Sequence, residues 1–199
     1  APQVAAIAAA KPDVVVLFTI PAYTALFRLT SLKLGISPKL VVSNVGSDAI
    51  TLGGLLEAFA RQAGATVKGS QLIEGIVSDS YFPTLGDMTN SWTALFKKVH
   101  DQYLASLPFD GNVVFGMAQA YAFVQALKAA GRDPTRQSIR DAVENGGFTG
   151  PGLVPFRFSK NSHAGYTGVE LGTIRGGAFV AQGQPMTTDD TGGAITPST

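Results

Sequence analysis

Cysteine is absent from the 199 residues. That excludes a disulfide framework, thiolate metal ligands and a cysteine nucleophile together, and leaves the compartment open. Charge is sparse as well: 15% of residues are charged, the net charge is +1, and the fifteen basic residues are scattered. No concentrated basic face exists for a phosphate backbone, so nucleic acid is not an expected partner. Only two histidines occur, and they have no metal-ligand spacing with each other or with a carboxylate. His100 lies on an amphipathic helix and His163 in a polar turn, and both are expected to face solvent. No metal or cofactor is expected.

Other absences concern membranes and catalysis. The longest apolar run, Val14 to Phe27, is interrupted by Thr19, Pro21 and Thr24 and closed by Arg28, too short and punctuated to span a bilayer. Ala1-Pro2-Gln3 shows neither the basic segment nor the cleavage site of a signal peptide; an exported form has shed its signal, or the numbering starts inside a longer chain. There is no G-x-S-x-G elbow, no G-x-G-x-x-G and no phosphate-binding G-x-x-x-x-G-K-[ST]. The glycine-rich stretch Gly147 to Gly152 precedes an expected edge strand rather than a helix, so no helix start faces a phosphate. Nothing nominates a nucleophile and base, and a non-enzymatic binder is expected.

What is present is an alternating α/β pattern, with 45% hydrophobic residues to build a core. Val4, Ile7 and Ala8 form a short helical face that ends at Lys11-Pro12. The continuous run Val14 to Phe18 has the composition of a strand covered on both faces. Leu26, Leu29 and Leu32 return at helical spacing until Gly35. A strand over Lys39 to Ser43, a helix over Gly53 to Ala63 and a strand over Leu72 to Val77 follow. Parallel strands need crossover helices, so this order implies a parallel sheet.

Trp92, Leu95, Phe96, Val99 and Tyr103 define one amphipathic helix. Val113 to Ala130 is a nearly uncharged helix, expected to be central, and Asp133-Pro134 supplies a cap for the next. Beyond it, Val154 to Phe158 alternates like an edge strand, Tyr166 to Ile174 reads as a strand, and Phe179-Val180 reads as its return. Residues from Gln184 onward have few large apolar side chains and are expected to be a tail.

Several of these stretches resemble a known family. Ile7-Ala8-Ala9-Ala10-Lys11-Pro12-Asp13-Val14-Val15-Val16 is similar to a helix-to-strand step in lobe 2 of the leucine/isoleucine/valine type of periplasmic solute-binding protein. Leu32 to Ile36 and Leu72 to Tyr81 resemble its next helix end and its lobe-crossing strand. Ala126 to Asp133 and Gly150 to Phe158 resemble a long helix and a Gly-then-Phe strand of lobe 1. Each motif alone is weak, and their order over residues 4–182 carries the resemblance.

The resemblance implies a type I periplasmic-binding-protein fold, α/β with Rossmann-like parallel sheets, as an incomplete two-lobed molecule. It assigns residues 1–80 to lobe 2, 81–165 to lobe 1, 166–183 to strands returning to lobe 2, and 184–199 to a disordered tail. It implies an extracytoplasmic component of an ABC importer that binds a small-molecule solute, such as an amino acid, by hinge closure and meets a permease. A ligand-sensing receptor ectodomain is the alternative, and an α/β hydrolytic enzyme is less favoured. An incomplete fold is expected to bind little solute alone and to dimerise through exposed sheet edges.

In such folds the ligand meets loops at the carboxyl ends of strands. The side chains suited to contact are Tyr23, Asn44, Ser47, Asp48, Phe115 and Gln119, with Tyr81 on the crossing strand. Against these stand plainer readings: Asn44 and Ser47 as turn residues, Asp48 as a helix cap, Phe115 as core and Tyr81 as hinge packing. The resemblance also implies that relatives binding α-amino acids carry a carboxylate where Asn44 stands and an aromatic where Ile20 stands. An amide brings no charge to an ammonium, so the sequence points toward a ligand without a free α-ammonium.

Overall fold

A computed structural model describes residues 2–148, 150–154, 156, 158–188 and 193–198. In chain order the elements are α1 (Pro2–Ala10), β1 (Val14–Leu17), α2 (Pro21–Lys33), β2 (Lys39–Val42), α3 (Asn44–Ser47), α4 (Ala49–Gln62), α5 (Gly69–Leu72), β3 (Val77–Ser80), α6 (Ser91–Tyr103), α7 (Gly111–Ala130), α8 (Arg136–Asn145), β4 (Gly168–Arg175), β5 (Ala178–Ala181), β6 (Met186–Thr187) and β7 (Thr196–Pro197). They divide into two compact units. Unit 1 is Ala1–Asp79 with Leu171–Gln182, and unit 2 is Ser80–Glu170 with Gly183–Thr199. The chain therefore passes between units three times.

In unit 1, β1 pairs with β2 and β2 with β3, both parallel. The β4 half that follows Glu170 lies next to β3, and β5 returns antiparallel on it. Gly176 and Gly177, with φ of 60° and 83°, make the tight β4–β5 turn that residues with a Cβ rarely adopt. Helices α2 and α4 pack together, and their apolar residues Ala25, Phe27, Leu52 and Leu56 join Val15, Leu17, Leu40, Val42, Ile73, Ile76 and Ile174 in one core. Among the described residues, the other side of the sheet is open at β1. Alternation along β1 leaves Val14 and Val16 exposed while Val15 and Leu17 are buried, which corrects the expectation of a strand covered on both faces.

Three further boundaries differ from the sequence reading. Residues 69–72 form the short α5, and β3 begins only at Val77, because Ile73 and Ile76 sink into the core instead of alternating along a ladder. The cap of α8 is Thr135, not Asp133: its hydroxyl accepts from the Ser138 N–H while Ser138 Oγ accepts from the Thr135 N–H, a reciprocal box. Residues 150–154, 156 and 158 show no strand. Pro155 and Arg157 of that expected edge strand lie outside the described residues.

Unit 2 is built on aromatic packing. Phe82, Phe96, Val114 and Ala118 are buried together with Tyr81, Trp92, Phe109 and Tyr166 around them. A second cluster joins Ala126, Phe148 and Phe156, and α7 packs on α8. By length and composition α7 is apolar enough to cross a membrane. Only Val114, Ala118 and Ala126 of it are buried, so the helix expected to be central presents Phe115, Phe123 and Val124 to solvent. In the stretch expected to be a tail, β6 pairs with Gly168 and Val169 of β4, and β7 pairs with β6. Such two-residue ladders depend on backbone bonding and leave no hydrophobic signal.

His100 is buried at 4% exposure, against the expectation of a solvent position. Its Nε2 lies 2.9 Å from the Leu107 carbonyl, its Nδ1 3.0 Å from Asp101 Oδ1, and its ring packs edge-on against Phe109. A buried polar ring needs such partners. His163 lies on the surface, 3.3 Å from Glu144.

Candidate functional site

The candidate residues fall into two sets, one in each unit. In unit 1 they stand at the carboxyl ends of β1 and β2, the end where open α/β sheets receive ligands. The turns after these strands are tied together. Thr19 Oγ1 and Thr24 Oγ1 are 2.7 Å apart, and Gly46 sits so near that a β-carbon built there would overlap the Thr19 carbonyl oxygen. Glycine at 46 is thus set by close approach rather than by an unusual φ.

Asn44 and Ser47 both face β3. The Asn44 N–H donates to Asp79 Oδ1 at 3.0 Å, and Asn44 Nδ2 donates to the Asp79 carbonyl at 3.0 Å. Ser47 Oγ lies 2.6 Å from Ser78 Oγ, with both residues buried. Val42 pairs with Ser78, so the register itself brings these residues abreast. Asp48 caps α4: its Oδ1 accepts from the Thr51 N–H at 2.8 Å. Ile20, at 52% exposure, stands open at the N-cap of α2, and Tyr23, at 63%, in the first turn of that helix. Asp79 and Ser78 were not among the sequence candidates. Both lie in β3, whose Ser78 pairs with Val42 of β2, but a single sequence does not reveal which strands are neighbours.

In unit 2, Tyr81 and Phe115 converge on one aromatic group. The Tyr81 ring lies tilted at 4.6 Å from Phe82 and 5.2 Å from Tyr166, and Phe82 meets Phe115 edge-on at 6.4 Å. Phe115 keeps 43% of its surface, and Gln119 is exposed one turn further along α7. Burial, and then the nearby Tyr81, pushes the Tyr166 phenol up to about 12, so it remains a neutral donor across the physiological range. Its buried hydroxyl finds no hydrogen-bond partner among the described residues.

Among the described residues no three His, Cys, Asp or Glu side chains cluster to hold a metal. A shallow dent lined by Lys11, Pro12, Asp13, Ile36, Ser37 and Pro38 lies at the amino ends of β1 and β2, opposite the candidate loops. It has none of their convergent polar geometry.

Comparison with known proteins places the chain in a family. A family model described as periplasmic binding protein matches residues 1–178. No curated sequence matches the chain. Among solved structures, a branched-chain amino acid ABC transporter from Thermus thermophilus with bound valine superposes with a TM-score of 0.73 at 18% identity, covering 94% of this chain and 49% of that one. A substrate-binding periplasmic protein from Ralstonia solanacearum gives 0.73 at 21% identity, covering 91% and 48%. An ABC-transporter solute-binding protein from R. palustris in complex with benzoate gives 0.66 at 21% identity, covering 95% and 48%. The chain spans about half the length of these structures.

Proposed function

Because this chain belongs to the periplasmic binding protein family, a family of solute-binding proteins rather than enzymes, we propose that it forms part of the solute-binding component of an ABC importer. The observation that carries this reading is the family match, which runs through both units along residues 1–178. The solute is an amino acid or a related small carboxylate with an apolar body. Valine and benzoate, bound by two of the structurally similar proteins, share that chemistry. The work is done outside the cytoplasm, and the loaded form passes its solute to a membrane permease.

Binding in this proposal is a population shift. Solute contacts stabilise a closed arrangement, and the chain segments that pass between the units after Asp79, Glu170 and Gln182 act as hinges.

A thermal-shift panel of amino acids, simple carboxylates and aromatic acids tests the reading on the polypeptide as its gene encodes it. At least one solute is expected to raise the melting temperature and to be recovered chemically unchanged. A solute converted to product would replace the binding reading with an enzymatic one. The isolated 199-residue chain is expected to bind the same solute far more weakly, so micromolar affinity in a monomer of it would show that half the relatives' length already makes a whole site.

A further inference from the structure

We propose that Asn145 and Gly146, at the carboxyl end of α8, form a site of spontaneous covalent modification. Asn145 loses its side-chain amide there, becomes aspartate or isoaspartate, and loosens the end of the helix. The site stands apart from the candidate ligand residues and does not depend on the solute-binding reading.

The chemistry is local. The Gly146 backbone nitrogen gives up its proton and attacks Asn145 Cγ, which closes a succinimide ring and expels Nδ2 as ammonia. Water then opens the ring. Cleaving the new N–Cγ bond leaves aspartate. Cleaving the original peptide bond leaves isoaspartate, whose main chain runs through Cβ and Cγ and is one carbon longer. A side chain on the following residue would shield the attacking nitrogen. The asparagines of this chain are followed by Val45, Ser91, Val113, Gly146 and Ser162, so Asn145 alone precedes a glycine.

The structure leaves this pair open to reaction. Asn145, Gly146 and Gly147 are all exposed. Gly146 is the C-cap of α8, and its N–H makes no backbone hydrogen bond among the described residues, so no acceptor shields that proton from base. The Asn145 amide is held by one bond, Nδ2 to the Asp141 carbonyl at 2.9 Å, and that bond is exposed to competing water. Packing meanwhile demands the glycine: a β-carbon at 146 would overlap the Ala142 carbonyl oxygen and crowd the Phe148 ring. Other asparagines are held more firmly. Asn44 bonds to Asp79 through its N–H and Nδ2, and Asn90 Oδ1 accepts from two N–H groups at the start of α6.

The product disturbs what surrounds it. A new negative charge enters the last turn of α8, beside Glu144 and four residues from Asp141, where no basic residue stands. A helix carboxyl end disfavours an anion, and like charges four residues apart repel. The donor to the Asp141 carbonyl is lost as well. Isoaspartate also lengthens the main chain just before Phe148, which is buried with Ala126 and Phe156, and so shifts that ring in its packing.

Timed incubation of the 199-residue chain at neutral and at mildly alkaline pH, followed by tryptic digestion and mass spectrometry, tests the proposal. Cleavage after Arg140 and Arg157 places Asn145 on a peptide with no other asparagine, and cleavage after Lys160 and Arg175 isolates Asn161, which is exposed and precedes Ser162. Relative to the unincubated chain, amide loss at Asn145 is expected to run several-fold ahead of that at Asn161 and to quicken at the higher pH. An isoaspartyl methyltransferase is expected to label the peptide carrying Asn145. The aged chain is expected to melt below the fresh one, and Asn145→Ala, with no amide to lose, is expected to hold its melting temperature through the same incubation. Loss at Asn145 no faster than at Asn161, or unchanged by pH, overturns the proposal. Both of those comparisons use the unaltered chain and so decide even if the variant fails to fold. An equal fall in melting temperature in the variant overturns the loosening of α8.

Discussion

Val15 and Val16 are adjacent, chemically identical and in the same strand, yet one is 8% exposed and the other 57%. Their environments differ because successive side chains point to opposite faces of a sheet, and α2 and α4 pack on the face to which Val15 points. The longest helix repeats the lesson in unit 2. Val114 and Ala118 of α7 are buried, while Phe115 and Phe123, bulkier and more apolar, stay open. Composition thus records how apolar a segment is, and the surrounding chain decides which of its faces count as core. A parallel sheet usually has both faces covered, so the two sides of β1 should respond very differently to substitution.

The largest contrast comes from the covered side. Leu56 is fully buried among the α2 and sheet residues, and Leu56→Ala is expected to cost about 2–5 kcal/mol through lost transfer energy and a cavity. The single tryptophan, Trp92, lies in unit 2, so unfolding of unit 1 is better followed by circular dichroism or by amide exchange of β1 and β2. A smaller cost, about 1–3 kcal/mol, is expected for Gly46→Ala, where the new methyl group must push aside the Thr19 carbonyl. That substitution should also loosen Ile20 and the first turn of α2, seen as faster exchange at Tyr23 and Thr24. Undisturbed exchange there would mean that the two turns are not coupled through Gly46.

A pair of glutamates in unit 2 sharpens the comparison through pH, with opposite signs. The Arg140 hydrogen bond, at 2.8 Å, holds the Glu144 carboxyl below its ordinary value, so its contribution is present above the usual carboxylate range and is lost as pH falls through the lowered value. Burial pushes Glu170 up. The stability linked to it is present below the usual range and is lost as pH rises through the raised value. Glu144→Gln should therefore flatten the loss of stability in acid, and Glu170→Gln should raise the melting temperature near neutral pH. Identical pH profiles for the two variants would show that these two environments do not differ as described.

Much of the fold was legible because its signals are local. The face of α6 repeats in Trp92, Phe96, Val99 and Tyr103, and β1, β2 and β4 announce themselves by β-branched runs. What escaped depends on contacts between distant segments. α5 has only four residues and no period to read, and the apolar run that follows it is core without ladder. Burial of His100 had a signal, since it lies four residues after Phe96 on the same helical face; its polar ring outweighed that signal, and the Leu107 carbonyl that satisfies it was invisible. Of the candidate site, Asn44 and Ser47 were readable as loop residues after a strand. The pairing of Asn44 with Asp79 was not, because it depends on β3 lying beside β2.

The smallest expected effect is the most exacting for the opening comparison. Val→Thr keeps shape but adds a hydroxyl, which has to be desolvated wherever the side chain is buried. At Val15 this should cost about 1–2 kcal/mol, because the hydroxyl would enter the apolar core of unit 1. At Val16, open to water, the same change should stay within about 0.5 kcal/mol. Measuring both at several protein concentrations separates the two explanations of any departure. A Val16→Thr cost that grows with concentration means that a second copy covers the bare face in solution, as exposed sheet surfaces invite. A large cost independent of concentration means that the chain itself covers this face, and the distinction between Val15 and Val16 would then be lost.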